Sequence, residues 1–201
     1  MKKLEYSNRF FHDSLFVNDN CVVDNEIMND ISPDWVYEQG VPICVGFLYK
    51  DKITIYLATE EGDQEFKNAV KDHLAKMTLK TYLYSFNRKM EVGNFKSMLD
   101  IKPHIKEIKP FNARGWNKDR FYTELLGKEV IPRVQVADVF EGDASRCITN
   151  WEKYVDTGSI EFLMEIAEHN VNCLLKESAI LKNKAFFLKN YNINERGWLE
   201  Q

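Results

Sequence analysis

The run Val22-Val23-Asp24-Asn25-Glu26 constrains the fold more than any other segment. Two β-branched residues lead into carboxylates spaced i, i+2, and on an extended strand that spacing places Asp24 and Glu26 on one face. Two further apolar runs follow, 42–49 (PICVGFLY) and 52–58, joined by the tight Lys50-Asp51 turn; they read as a β-hairpin. Asp-x-Glu alone also suits a solvated strand end, so the pair acquires meaning only from what the rest of the chain brings to it.

The remaining pattern is that of an α/β domain. Phe66, Val70 and Leu74 recur every fourth residue within 62–77, which predicts a helix. Residues 80–86 are β-branched and aromatic and read as a strand. Residues 90–99 and 117–126 have helical character, and Asp143 is the expected N-cap of a helix that Gly158-Ser159 separates from a final one over about 160–182. We expect one domain over 1–190 and a tail over 191–201. Cys21, Cys44, Cys147 and Cys173 form no Cys-x-x-Cys pair, which points away from a zinc site and toward a reduced, cytoplasmic setting. No apolar stretch has membrane-spanning length, so no membrane partner is expected.

The formal net charge of −4 argues against a protein that coats nucleic acid electrostatically, yet leaves room for an enzyme that grips a strand locally. Basic residues cluster between 102 and 133, as a solvated helix face or a phosphate-facing rim. Phe111, Arg114 and Trp116 lie in the same stretch, beside glycine and asparagine, where a base can stack. Other aromatics read mainly as core. Phosphate-loop, nucleophile-elbow and His-Glu-x-x-His motifs are absent.

Three separated segments together resemble a known family. Residues 82–95 (YLYSFNRKMEVGNF) are similar to the second motif of DEDD-type 3′–5′ exonucleases, in which a strand ends in Asn and a metal-binding acid follows at a helix start: here Asn87 and Glu91. Residues 140–158 resemble a helical stretch of the exonuclease-like branch of bacterial and archaeal ribonuclease H-like proteins, and 161–181 resemble its third motif. That motif has Tyr or His four residues before a metal-binding Asp, so both project from one helix face. The resemblance covers about Val22 to Leu181. It implies a ribonuclease H-like α/β fold: a five-stranded mixed sheet, its first three strands antiparallel, with helices on both faces. It implies a metal-dependent nuclease, a 3′–5′ exonuclease on DNA or RNA with a single-stranded 3′ end as partner, and Mg²⁺ or Mn²⁺ as cofactor. Asp24, Glu26 and Glu91 would be metal ligands, His169 and Glu26 catalytic, and Asn87, Arg114 and Trp116 would contact substrate.

The chain departs from the motif at two places. Glu91 stands where the family commonly has Asp, and Cys173 stands where the third-motif Asp is expected, four residues after His169. Thiolate is a poor donor to Mg²⁺. Either Glu177, one turn further on, takes over as the metal ligand, or the site has three carboxylates, or the domain is catalytically inactive and binds nucleic acid or a protein.

Overall fold

The computed structural model describes residues 1–7, 20–27, 42–109, 116–131 and 138–191. Phe111 and Arg114, in the stretch that carries the basic cluster, and the tail beyond residue 191 lie outside the described residues. Six strands, β1 (Lys2–Ser7), β2 (Cys21–Ile27), β3 (Pro42–Tyr49), β4 (Lys52–Leu57), β5 (Leu83–Ser85) and β6 (Ile105–Glu107), form one mixed sheet in the order β1-β4-β3-β2-β5-β6. The helices are α1 (Gln64–Thr78), α2 (Arg88–Leu99), α3 (Lys118–Gly127), α4 (Ser145–Thr157), α5 (Ile160–Lys182) and α6 (Lys184–Asn190).

Among the described residues the expected five strands are six. β2, β3 and β4 are antiparallel neighbours, and β5 and β6 add in parallel on the other side of β2. The extra strand, β1, pairs antiparallel with β4 at the sheet edge. Its sequence KKLEYS exposes Lys3, Glu5 and Ser7 on alternate positions, which suits an edge that turns one row of polar side chains to solvent. The short helix α6 also extends the chain beyond the expected helix end at 182.

Side-chain alternation divides the two faces. Phe47 stacks on His73 of α1, and Asn25 bonds Glu91 and Asn94 of α2, so α1 and α2 cover one face. Asp24 and Glu26 point the other way and meet Asn170 of α5. The central strands, enclosed on both faces, read as near-continuous apolar runs for this reason. Helix α1 buries Phe66, Val70, Leu74 and Met77, and Asp63 caps it by accepting from the Phe66 N–H at 2.9 Å. For α4, the Asp143 carboxylate accepts from the Ser145 N–H at 3.1 Å, while Ala144 takes the cap position itself. Among the described residues, no helix is long and apolar enough to cross a membrane.

Helix α5 lies directly on the sheet because of one glycine. Gly46 is the β3 partner of Asp24. A Cβ there would run into the Asn170 carboxamide and come within 2.6 Å of Leu174 Cδ1 and 2.8 Å of Ile55 Cδ1. Gly46→Ala should therefore lift α5 away from Asp24 and cost about 1–3 kcal/mol, read by urea denaturation. An unchanged midpoint would mean that α5 does not depend on this close approach.

Candidate metal centre

Helix α5 is buried without a break from His169 to Ile180, yet this stretch carries His169, Asn170, Asn172, Lys176, Glu177 and Ser178. Polar groups in such a place need partners, and most of these find them in one cluster. Asn170 Nδ2 donates to Asp24 Oδ2 at 3.1 Å and lies 3.4 Å from Glu26 Oε1, bridging the two carboxylates of β2. Glu177 accepts from the Phe86 N–H at 3.1 Å through one oxygen and from Lys118 Nζ at 3.0 Å through the other. Lys118, the first residue of α3, also lies 3.8 Å from Asp24 Oδ1, so its ammonium stands between carboxylates of β2 and α5.

Glu91 sits in the first turn of α2, as the motif implies, and is 1% exposed. It enters from the opposite face of the sheet, where its carboxylate accepts from Asn25 Nδ2, and Asn25 Oδ1 in turn accepts from Asn94 Nδ2 at 2.7 Å. Burial first, then repulsion from Asp24, Glu177 and Glu26, pushes its carboxyl well above the usual range. Burial and the neighbouring Asp24 push Glu26 up to about 7. Burial, and Asp24 against the pull of Lys118, push Glu177 up to about 8. Burial works against the Lys118 charge, but Asp24, Glu177 and Glu26 outweigh it and hold the ammonium well above its ordinary value.

His169 is fixed at both nitrogens. Nδ1 lies 2.8 Å from Asp138 Oδ1, while Nε2 lies 3.6 Å from Cys173 Sγ and 3.7 Å from Glu26 Oε1. Lys176 Nζ backs Asp138 at 3.5 Å and bonds Asp119 at 2.7 Å. Burial disfavours the imidazolium, yet the Asp138 hydrogen bond, with Cys173 and Glu26, raises the ring to about 11. In this state both nitrogens donate, so the ring orients Glu26 and does not accept a proton from water.

The expected substrate contacts lie further out. Asn87 is the N-cap residue of α2, its carbonyl accepting from the Glu91 N–H at 3.1 Å and its side chain making no cap bond. Trp116 is half-buried in an aromatic cluster, 4.8 Å from Phe121 and 5.2 Å from Tyr191 between ring centroids, with the Arg120 guanidinium 4.2 Å over its ring. The structure thus brings Asp24, Glu26, His169, Cys173 and Glu177 together on the α5 side of the sheet, with Glu91 on the α2 side within their electrostatic reach, and adds Lys118, Asn170, Asp138 and Asn25, which sequence reasoning left without a role. Asn170 had a signal, since it directly follows His169 in the motif; Lys118 read as one more surface base. Comparison of the chain with protein-family models, with curated proteins and with solved structures found no match.

Proposed function

We propose that this chain is a metal-dependent nuclease that hydrolyses phosphodiester bonds, acting as a 3′–5′ exonuclease on DNA or RNA in the manner of the ribonuclease H-like DEDD enzymes. One observation carries the reading. Four acids from three elements, Asp24 and Glu26 (β2), Glu91 (α2) and Glu177 (α5), are each no more than 6% exposed and act on one another electrostatically. Burying mutually repelling carboxylates costs stability, and a cation-dependent function accounts for that cost. The run β4-β3-β2-β5-β6 also has the first-three-antiparallel arrangement that the resemblance implies.

The donor set fits Mg²⁺ or Mn²⁺, which prefer carboxylate oxygens. Asp24, Glu26 and Glu91 would hold the ion, and Glu177 would contribute where Lys118 releases it. Such an ion supplies charge for the phosphate oxygens and a nucleophilic water at neutral pH. The chain's own residues set the stage for it. Asn170 holds Asp24 and Glu26 in one orientation, Asn25 and Asn94 hold Glu91, and the protonated His169 fixes Glu26 from its far side. Burial and Asp24 raise the Glu26 carboxyl to about 7, so it would hold an ion only as the deprotonated carboxylate, and its binding would be pH-dependent near neutrality. A cleft of about 370 Å³ beside α2, lined by Arg88, Lys89, Lys96 and Lys102, offers positive charge to a phosphate backbone.

A second reading has its own support. Lys118 already neutralises Asp24 and Glu177, and Cys173 replaces the expected acid. Both fit a catalytically inactive domain that binds nucleic acid or a protein partner. End-labelled single- and double-stranded DNA and RNA, incubated with Mn²⁺ or Mg²⁺, separate the readings. The nuclease releases nucleotides from the 3′ end, and the activity disappears with EDTA and in Asp24→Asn. Intact substrates under every condition overturn the nuclease and leave the binding domain.

A further inference from the structure

We propose that Glu26, His169 and Cys173 form a binding site for a borderline-soft divalent cation of the Zn²⁺ type, which shares Glu26 with the all-oxygen group around Asp24 and Glu91 and differs from it by its nitrogen and sulfur donors. One donor atom from each of the three lies within 4.8 Å of the others, and all three side chains are buried. His169 Nε2 is 3.6 Å from Cys173 Sγ and 3.7 Å from Glu26 Oε1. A tetrahedral ion with zinc–ligand distances of about 2.0–2.3 Å separates its donors by about 3.3–3.6 Å, so the two distances from His169 Nε2 need to change by only tenths of an ångström, while Glu26 and Cys173 start within 4.8 Å of each other. Three protein donors leave one position of the tetrahedron to solvent.

The surroundings point the same way. Asp138 holds Nδ1 of His169 at 2.8 Å, which turns Nε2 toward Cys173 and Glu26; metal-ligating histidines are oriented by a carboxylate in this manner. His169 and Cys173 are one turn apart on α5, a rigid support. Two further buried thiols flank Glu26: Cys44 is its ladder partner on β3, and Cys147 of α4 lies close enough for the Glu26 charge to act on its thiol. Imidazole and thiolate favour Zn²⁺ over Mg²⁺, and binding sends the Cys173 and Nε2 protons to solvent. The absence of Cys-x-x-Cys spacing concealed this set because its donors come from β2 and α5.

Titration of the metal-stripped full-length chain with Co²⁺ tests the site. The expected result is one Co²⁺ per chain, with the intense visible bands of a tetrahedral ion and a near-ultraviolet thiolate-to-cobalt charge-transfer band. Zn²⁺ displaces both and excess Mg²⁺ does not. Cys173→Ser loses the charge-transfer band and weakens binding by more than about tenfold, while Cys21→Ala changes neither. X-ray absorption of the Zn²⁺-loaded wild type does not depend on the variant folding, and should show one sulfur at about 2.3 Å among nitrogen and oxygen ligands at about 2.0 Å. A wild type without the charge-transfer band, a folded Cys173→Ser that keeps it, or a zinc shell without sulfur overturns the site. Bound Co²⁺ in a protein that cleaves no nucleic acid upholds the site and overturns only the nuclease reading.

Discussion

Lys118→Met should destabilise the metal-free protein by about 3–5 kcal/mol at neutral pH, the cost of leaving buried charge without its partner. Methionine keeps the packing of the lysine stem, so the loss reports the ammonium. That group is 3.0 Å from Glu177 and 3.8 Å from Asp24, with Glu26 and Glu91 also in its field. Millimolar Mn²⁺ should restore much of the loss, because a cation that binds only the folded variant stabilises it by mass action. Urea denaturation with and without Mn²⁺ reads both effects. A variant as stable as wild type, or one indifferent to Mn²⁺, would mean that the carboxylates do not rely on a cation at this point.

Stability in EDTA should fall continuously from about pH 5 to pH 9, by several kcal/mol. The sign follows from the shifts. Glu26 rises to about 7, Glu177 to about 8 and Glu91 well above 4.5, all from burial and then mutual repulsion. Each binds its proton more tightly folded than unfolded, so each destabilises the fold as pH climbs above the unfolded value of 4.5. His169, raised from 6.5 to about 11, contributes stability that is full below 6.5 and drains away as pH rises toward 11. His73, lowered from 6.5 to about 4 chiefly by burial, acts oppositely up to pH 6.5 and offsets part of the fall there; above it these slopes share a sign. Asp138, lowered to about 2 by its bond to His169 against the effect of burial, acts oppositely but only below its ordinary 3.8. Saturating Mn²⁺ should flatten the profile, since bound carboxylates no longer take up protons. Thermal melts across pH check this, and a profile that is flat or rises toward pH 9 would show that the acids are not held as described.

Much of the frame could be read from local pattern. The Val22-Val23-Asp24-Asn25-Glu26 run became β2, the 42–58 hairpin became β3 and β4, and the four-residue spacing of Phe66, Val70 and Leu74 became α1. Each of these signals is confined to one element and enforced by burial. β1 escaped because an edge strand with only Leu4 and Tyr6 among polar residues carries little apolar signal, and β6 because three residues carry almost none. The candidate residues stood out in the sequence where a local pattern marks them: Asp24 and Glu26 as alternate positions on β2, Glu91 in the first turn of α2. Lys118 was not, since its role depends on α3 folding back over α5, a contact between residues far apart in the chain. Asn170 makes sense only opposite Gly46, where the missing side chain lets an amide reach two carboxylates.

Anomalous diffraction from a crystal soaked in Mn²⁺ tests most directly whether the acids form a cation site. The account predicts a peak at ligand distance from the Asp24 carboxylate, shared with Glu26 or Glu91, and Lys118 displaced from Asp24. A crystal at saturating Mn²⁺ with no peak among these acids, and with Lys118 still seated on Asp24 and Glu177, would contradict it.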